Sequence, residues 1–144
     1  MNTHRYRVVD VFTTNALEGN PLAVFPDARG LDDGTMQRIA RELNLAETAF
    51  VFPATDPGCV VRVRIFTPET EMSFAGHPTI GTSAVLVDEG IVDRNISEFV
   101  LEEKIGPVRI RRDQSSAGPM FWLTTPQISF GKTFDRESCA RALS

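Results

Sequence analysis

The sequence predicts an α+β fold in which a strongly curved, barrel-like sheet wraps around a central buried helix. Two observations lead to it: about eight short segments have strand character, and one of the two helical segments among them is apolar on all sides. The 144 residues are 42% hydrophobic and 24% charged, as in a single domain that buries a core. No period of 20–50 residues appears, which excludes a repeat architecture.

The first strands of the predicted sheet lie on either side of a turn. Residues 5–12 alternate polar and apolar side chains, the pattern of a half-buried strand. Residues 15–21 contain Asn, Gly and Pro, which form turns, and residues 22–25 make a short apolar strand. A second turn follows over residues 26–30.

A helical period replaces the strand pattern over residues 32–45. Asp32 or Asp33 can cap its first turn, and Asn44 marks its end. The apolar side chains of one face are Met36, Ile39, Ala40 and Leu43. This segment is therefore predicted to be an amphipathic helix that packs on one side of the sheet.

Strand patterns resume after this helix. Residues 46–52 are a β-rich run that begins beside a carboxylate, and residues 60–66 alternate almost perfectly. Residues 67–72 form a loop with room for one short strand. Three further strands are predicted at residues 99–102, 107–112 and 119–124.

Residues 78–88 are predicted to form the buried central helix. The segment is small, apolar and uncharged until Asp88, and Pro78 suits a first helical turn because its missing N–H costs nothing there. Near the end of the chain, residues 126–131 read as a linker and residues 135–143 as a helix that Asp135 can cap. This last helix has nothing after it to pack against, so we expect it to belong to a further unit.

Composition excludes several classes of function. A net charge of −4 disfavours nucleic acid or an anionic membrane as a partner, and no apolar run approaches the roughly 20 residues of a membrane-spanning helix. Cys59 and Cys139 share no CxxC spacing, and two histidines are too few for a His/Cys metal site. With no secretory signal pattern at the start, we expect a cytoplasmic domain that works with carboxylates and backbone groups.

The best candidate for a ligand site is the segment of residues 73–78, directly before the buried helix. The first N–H groups of a helix are unpaired and lie at its positive end, so a carboxylate or phosphate binds there readily. Gly76 allows close approach to the backbone, and His77 can donate a hydrogen bond. The alternative is that His77 only caps a helix in a buried turn.

Glu47 is the candidate acid–base residue. It stands at a helix-to-strand junction between apolar segments, and such surroundings suit a carboxyl that both takes and gives a proton. The alternative is a strand-end glutamate in solvent. Asn20 lies in a Gly-Asn-Pro turn, about which the local sequence says nothing more.

Four segments together resemble the phenazine-biosynthesis-like (PhzF) family. They are LEGNPLAV at residues 17–24, MQRIARELNLAETAFV at residues 36–51, RIFTP at residues 64–68 and FAGHPTIGT at residues 74–82. The match is ordered and spans residues 5 to about 125. The resemblance implies the diaminopimelate-epimerase-like fold: two pseudo-symmetric domains, each a barrel-like sheet around a central helix, with the active site between them.

The resemblance also implies roles for individual residues. Glu47 matches the family's catalytic glutamate, which in characterised relatives shuttles a proton within a dihydro-hydroxyanthranilate ring without a cofactor. Gly76 and His77 match substrate-contacting positions, and Asn20 sits in the matching loop that faces the cleft. Related racemases use a pair of cysteines, a role that the positions of the two cysteines here do not fit.

Two departures from the family pattern shape the expected function. Ala46 stands where the phenazine enzyme has a serine, so the same substrate is not implied. Family members are also considerably longer, so residues 1–126 are expected to be an amino-terminal domain and residues 127–144 a linker and the first helix of an absent or truncated second domain. We expect an isomerase of small unsaturated or cyclic carboxylic acids, working as a homodimer or with a second half. The alternative is a non-catalytic half-domain or binding module of the same fold.

Overall fold

A computed structural model describes residues 3–116, 118–125, 127 and 129–143. Within these ranges eight strands form one sheet, accompanied by three helices. In chain order the elements are β1 (Arg7–Val11), β2 (Asn20–Phe25), α1 (Asp33–Leu43), β3 (Glu47–Phe52), β4 (Val61–Phe66), β5 (Glu71–Met72), α2 (Gly76–Asp88), β6 (Glu98–Glu103), β7 (Gly106–Ser115), β8 (Gly118–Leu123) and α3 (Arg136–Leu143).

The strands lie in the order β1-β2-β3-β4-β6-β7-β8, with the short β5 paired to β4. Two neighbouring pairs are parallel, β2 with β3 and β4 with β6, and the other pairs are antiparallel. Each parallel pair is joined through a helix, as parallel strands require. The helix between β2 and β3 is α1, and the helix between β4 and β6 is α2.

The sheet curls around α2. The two strands at opposite ends of the sheet order, β1 and β8, both contact this helix, as do β2 and β3. Apolar side chains of α2, including Val85 and Leu86, pack with the inner-face residues of the strands in one core. This arrangement confirms the predicted curved sheet around a central helix.

The outer face of the sheet is covered by α1 over part of its area. Met36 and Ala40 pack on three phenylalanines, Phe25, Phe50 and Phe66. The ring centroids of Phe25 and Phe50 lie 4.9 Å apart. Both predicted ends of this helix are confirmed. The Thr35 N–H donates to Asp32 Oδ1 at 2.8 Å, and Asn44 takes the left-handed conformation (φ 51°) that ends many helices.

The curled sheet leaves a seam between β1 and β8. A cavity of about 700 Å³ lies there, lined by Val9, Ile80, Ala84 and Phe121 among other residues. Ile80 and Ala84 face this cavity and are therefore only half-buried, although the sequence indicates a helix buried on all sides. Gly81 lies at the margin of the same cavity, yet the packing beside it is close, since a Cβ there would lie 2.7 Å from both Leu22 Cδ2 and Val11 Cγ2.

Some predicted boundaries differ from the structure. The central helix begins at Gly76, two residues before the predicted start. Asn20 and Pro21 belong to β2 and pair with Val11 and Asp10, so the prediction of a turn there was wrong. The chain reverses before them instead, where Phe12 and Leu17 both have positive φ.

The carboxy-terminal segment has little contact with the rest of the domain. Residues 126 and 128 of the predicted linker, and residue 144, lie outside the described residues. The predicted cap of α3 is confirmed, because the Ser138 N–H donates to Asp135 Oδ1 at 2.9 Å. None of its described residues is buried. In the described part of the chain, none of the helices combines the length and apolar character needed to span a membrane.

Candidate functional site

Glu47 is the first residue of β3 and lies on the inner face of the sheet. Side chains alternate along a strand, so Glu47 shares a face with Ala49 and Val51, both of which belong to the core around α2. Its side chain is 17% exposed. The glutamate is thus held at the edge of the core, beneath the start of the central helix, and the alternative of a solvated strand end does not describe it.

The start of α2 provides unpaired backbone donors. Ala75 is the N-cap residue and makes no side-chain cap hydrogen bond. The N–H groups of Gly76 and His77 have no acceptor within the helix, because no preceding turn exists. Pro78 carries no N–H, and the Thr79 N–H already donates to the Ala75 carbonyl at 3.2 Å. Counting only partners among the described residues, two adjacent backbone donors therefore remain at the positive end of this 13-residue helix.

Glu47 and His77 meet at this point. His77 Nε2 lies 3.3 Å from Glu47 Oε2, and the His77 side chain is only 10% exposed. The two atoms are not aligned as a hydrogen bond, and within the described residues neither has another hydrogen-bond partner. A carboxyl oxygen and an imidazole nitrogen, both buried and both unsatisfied, are suited to engage a third group.

Asn20 is placed nearby but does not contact this pair. The parallel register aligns Leu22 with Glu47, so Asn20, two residues earlier on β2, lies at the same end of the sheet and on the same face. Its side chain is exposed, and no hydrogen bond joins it to Glu47 or His77 within the described ranges. The structure therefore brings together Glu47, Gly76 and His77, and leaves Asn20 at their margin.

A second carboxyl in this region was missed by the sequence analysis. Glu103 ends β6 and is only 4% exposed, and its Oε1 lies 2.7 Å from the hydroxyl of Thr79 on α2. Burial raises the pKa of Glu103 to about 7. The predicted strand ended at residue 102. One further residue would have placed Glu103 on the inner face, because it has the same parity as Phe99 and Leu101.

The remaining candidates for chemistry do not join the site. Both cysteines are free; Cys59 is half-buried and Cys139 is exposed on α3, away from Glu47 in the fold. Among the residues that the structure describes, no three His, Cys, Asp or Glu side chains gather as a metal-binding group. The cavity in the seam is not lined by Glu47 or His77.

These features define the chain as a domain of the diaminopimelate-epimerase-like α+β class, a curled sheet around one central helix. A solved structure described as a probable proline racemase from Agrobacterium radiobacter shares this fold, with 20% identity, a TM-score of 0.58, and coverage of 79% of this chain and 39% of that one.

Within that class, the chain belongs to the phenazine biosynthesis-like protein family (PhzC-PhzF), whose sequence model matches residues 9–143. An uncharacterized isomerase from Mesorhizobium japonicum is 56% identical over 109 residues, which cover 76% of this chain and 36% of the relative. The trans-2,3-dihydro-3-hydroxyanthranilate isomerase of Pseudomonas aeruginosa is 47% identical over 105 residues, covering 73% of this chain and 36% of the relative.

The solved structures agree with the sequence comparison. The structure of a "Predicted Epimerase" from Pseudomonas aeruginosa superposes with a TM-score of 0.81 at 37% identity, covering 95% of this chain and 48% of that chain. The chain spans a little over a third of the length of the curated relatives named above. The geometry described here is thus one part of what those longer proteins contain.

Proposed function

We propose that this chain supplies one side of the active site of a cofactor-independent isomerase, in which Glu47 moves a proton within a small unsaturated or cyclic carboxylic acid. The observation that carries the proposal is the 3.3 Å approach of His77 Nε2 to Glu47 Oε2 beside the free N–H groups of α2. The names of the relatives support it, since several are isomerases and one acts on trans-2,3-dihydro-3-hydroxyanthranilate.

Glu47 performs the proton transfer in this proposal. Its carboxylate removes a proton from a carbon made acidic by an adjacent unsaturated or carboxylate-bearing group. The resulting carboxylic acid then returns the proton to another carbon on the same face of the substrate. One carboxyl can serve as base and then as acid because the two steps are separated in time.

Gly76 and His77 bind the substrate's anionic group. Their backbone N–H groups point out of the helix start, where the helix dipole favours negative charge. The imidazole of His77 adds a donor beside Glu47, so the charge that develops on the substrate meets a donor already in place. Asn20, at the same end of the sheet, is a further substrate contact in this proposal.

The rest of the active site comes from a second domain. We place residues 1–126 in the amino-terminal domain and residues 127–144 in a linker and the first helix of the next unit. The length of the relatives supports this division, as does the exposure of Phe130, Phe134 and Leu143, which are 95%, 66% and 90% exposed. A second domain, or a partner copy in a homodimer, would cover Glu47 from the open side. The two free thiols suit a cytoplasmic setting.

The proposal is tested by deuterium incorporation from solvent into candidate acids, with this domain in its full-length two-domain protein. Glu47→Gln keeps the shape of the side chain but removes the basic oxygen. We expect exchange to fall by about 10²–10⁴, the usual contribution of a positioned acid–base group. His77→Ala is expected to weaken binding and turnover together, because it removes a substrate donor.

Glu69→Gln is the matched control. Glu69 is exposed in the loop between β4 and β5, so its variant should exchange at the wild-type rate. Wild-type exchange in Glu47→Gln would show that another group moves the proton. Binding of acids at Gly76 and His77 without any exchange in the two-domain protein would favour the alternative, a binding module of the same fold.

A further inference from the structure

A single hydroxyl group links the buried Glu103 to the start of α2. Thr79 Oγ1 lies 2.7 Å from the carbonyl oxygen of Ala75 and 2.7 Å from Glu103 Oε1. Both distances are typical of O–H···O hydrogen bonds. Each such bond needs a proton between its two oxygens, and a threonine hydroxyl carries only one.

The count of protons determines the state of Glu103. The carbonyl of Ala75 has no proton to give, so the Thr79 hydroxyl must donate to it. The proton of the second bond must then come from Glu103, whose carboxyl is protonated and donates from Oε1 to Thr79 Oγ1. A carboxylate would leave two acceptor oxygens facing each other at one of the two contacts.

The surroundings of Glu103 favour the same state. Glu103 is 4% exposed, and within the described residues its Oε2 has no hydrogen-bond partner. An ionised carboxylate in this position would be a buried charge with an unsatisfied oxygen, which is costly. The pKa of Glu103, raised by burial to about 7, agrees with a proton held near neutrality.

Charged neighbours do not neutralise Glu103. On its own hairpin, Lys104 pairs with Glu71 of β5 at 3.3 Å, and Glu102 accepts hydrogen bonds from Thr55. On α2, His77 faces Glu47. Four arginines of the neighbouring strands β4 and β7 alternate with inward-facing core residues and lie on the outer face: Arg62, Arg64, Arg109 and Arg111. Arg112 has the inward parity, but it lies at the other end of β7 and donates to the Arg94 carbonyl.

The hairpin that carries Glu103 also holds the segment before α2. The Ile105 N–H donates to the carbonyl of Ser73 at 3.0 Å, and the Lys104–Glu71 ion pair lies two residues further back along the chain. With the bond from Glu103 to Thr79, three successive residues of the β6–β7 turn contact residues 71–79. The Gly76–His77 turn lies inside that span.

We propose that Glu103 is protonated in the folded protein and is a positioning residue, which holds the first turn of α2 through Thr79 and releases it when the proton is lost. Calling that turn a substrate site rests on the function proposed above. The hydrogen-bond chain itself, from Glu103 through Thr79 to Ala75, does not depend on that function. Above neutral pH the Glu103 carboxylate would accept the hydrogen bond that the Thr79 hydroxyl donates, and the Ala75 carbonyl would lose its hydroxyl donor.

The test is an NMR titration of the whole chain with ¹³C-labelled glutamate. The Cδ signal of Glu103, assigned by its loss in Glu103→Gln, is expected to show a midpoint near pH 7 instead of near the ordinary value for glutamate. The amide signal of Thr79 should change with the same midpoint. In Glu103→Gln this step should vanish while the fold is kept, because the amide N–H₂ still donates to Thr79 Oγ1.

Thr79→Val provides a second variant of the same shape without the hydroxyl. The signals of the first turn of α2 should then lose the step, although Glu103 itself still titrates late. A Cδ midpoint at the ordinary glutamate value would overturn the proposal. A pH-dependent step in the Thr79 amide signal that persists in Glu103→Gln would also overturn it. The same holds for a step in the Gly76 and His77 amide signals that persists in Thr79→Val. None of these readouts needs a substrate, so they are independent of whether Glu47 performs proton transfer.

Discussion

Replacing Gly81 with alanine tests the close packing of α2 against the sheet. A Cβ at this position would lie 2.7 Å from Leu22 Cδ2 on β2 and 2.7 Å from Val11 Cγ2 on β1. Carbon atoms in contact are normally about 3.5–4.0 Å apart, so each contact is short by about 1 Å. Leu22 is fully buried and has little space to move, whereas Val11, 5% exposed, borders the seam cavity.

The expected cost follows from two opposing effects. Overpacking of a core by added carbons costs about 1–3 kcal/mol. Alanine in a helix interior is favoured over glycine by about 1 kcal/mol. Gly76→Ala, at the first position of the same helix, is the sterically open comparison, because a Cβ there would meet nothing within 4 Å. The two variants should therefore differ by about the overpacking cost, less any extra helix propensity that alanine gains at the interior position.

Thermal unfolding followed by circular dichroism measures this difference. For a chain of this size, 1 kcal/mol corresponds to roughly 3–4 °C in Tm, so Gly81→Ala should melt about 3–10 °C below Gly76→Ala. Equal melting temperatures for the two alanine variants would refute the reasoning. They would mean that α2 does not press against β1 and β2 at Gly81.

Three further predictions concern charge, capping and anion binding. The pKa of Glu103 is raised to about 7 from its ordinary 4.5, so the free energy of unfolding of the wild type should fall by about 3 kcal/mol as pH rises from 4.5 to above 7. Chemical denaturation should show no such fall in Glu103→Gln. Parallel plots of unfolding free energy against pH for the two proteins would contradict the prediction. Asp32→Ala removes the acceptor of the Thr35 N–H and should cost about 1 kcal/mol in the same assay, with an unchanged midpoint counting against the cap. Crystals soaked in sulfate should show an anion at the Gly76 and His77 N–H groups, and an empty position with His77 closed over it would favour the capping alternative.

The local features of this fold could be predicted because they depend on neighbouring residues. Asp32 and Asn44 end α1 through contacts within one turn of the helix. The burial of α2 follows from a segment without charge. By contrast, Ile80 and Ala84 are only half-buried because β1 and β8 do not pair with each other. Whether two strands so distant in the chain pair cannot be read from the hydrophobic pattern of the helix that they flank.

The candidate site likewise has features that the local sequence predicts and features that depend on contacts between distant segments. Glu47 and His77 are thirty positions apart, and their 3.3 Å approach depends on the parallel register of β2 and β3 and on the placement of α2. The chemistry of the residues predicted a function for Glu47 and for His77 separately. Only the family resemblance predicted that the two belong to one site. Glu103 was missed because a glutamate at a strand end normally reaches solvent, and the one-residue longer β6 turns it inward instead.

The β3–β4 hairpin has a consequence for how one sheet comes to have helices on opposite faces. Crossovers between parallel strands are almost always right-handed. Both crossovers here step in the same direction along the sheet, from β2 to β3 and from β4 to β6. The antiparallel hairpin between them inverts the strand direction. With the step unchanged and the direction inverted, right-handedness requires the second helix to lie on the other face.

That inversion puts α1 on the outer surface and α2 inside the curl, although both are crossover helices of similar length. The chirality of the chain therefore assigns the inner position to whichever helix follows the hairpin. In this sequence the helix in that position begins Gly76-His77 and carries no charged side chain of Asp, Glu, Lys or Arg before its last residue, Asp88. Because β3 and β4 are antiparallel, the end of β4 lies beside the start of β3, where Glu47 is. The amino end of α2, which follows β4 in the chain, therefore lies near Glu47. A single reversal of chain direction thus places both the core helix and the residue opposite its first turn.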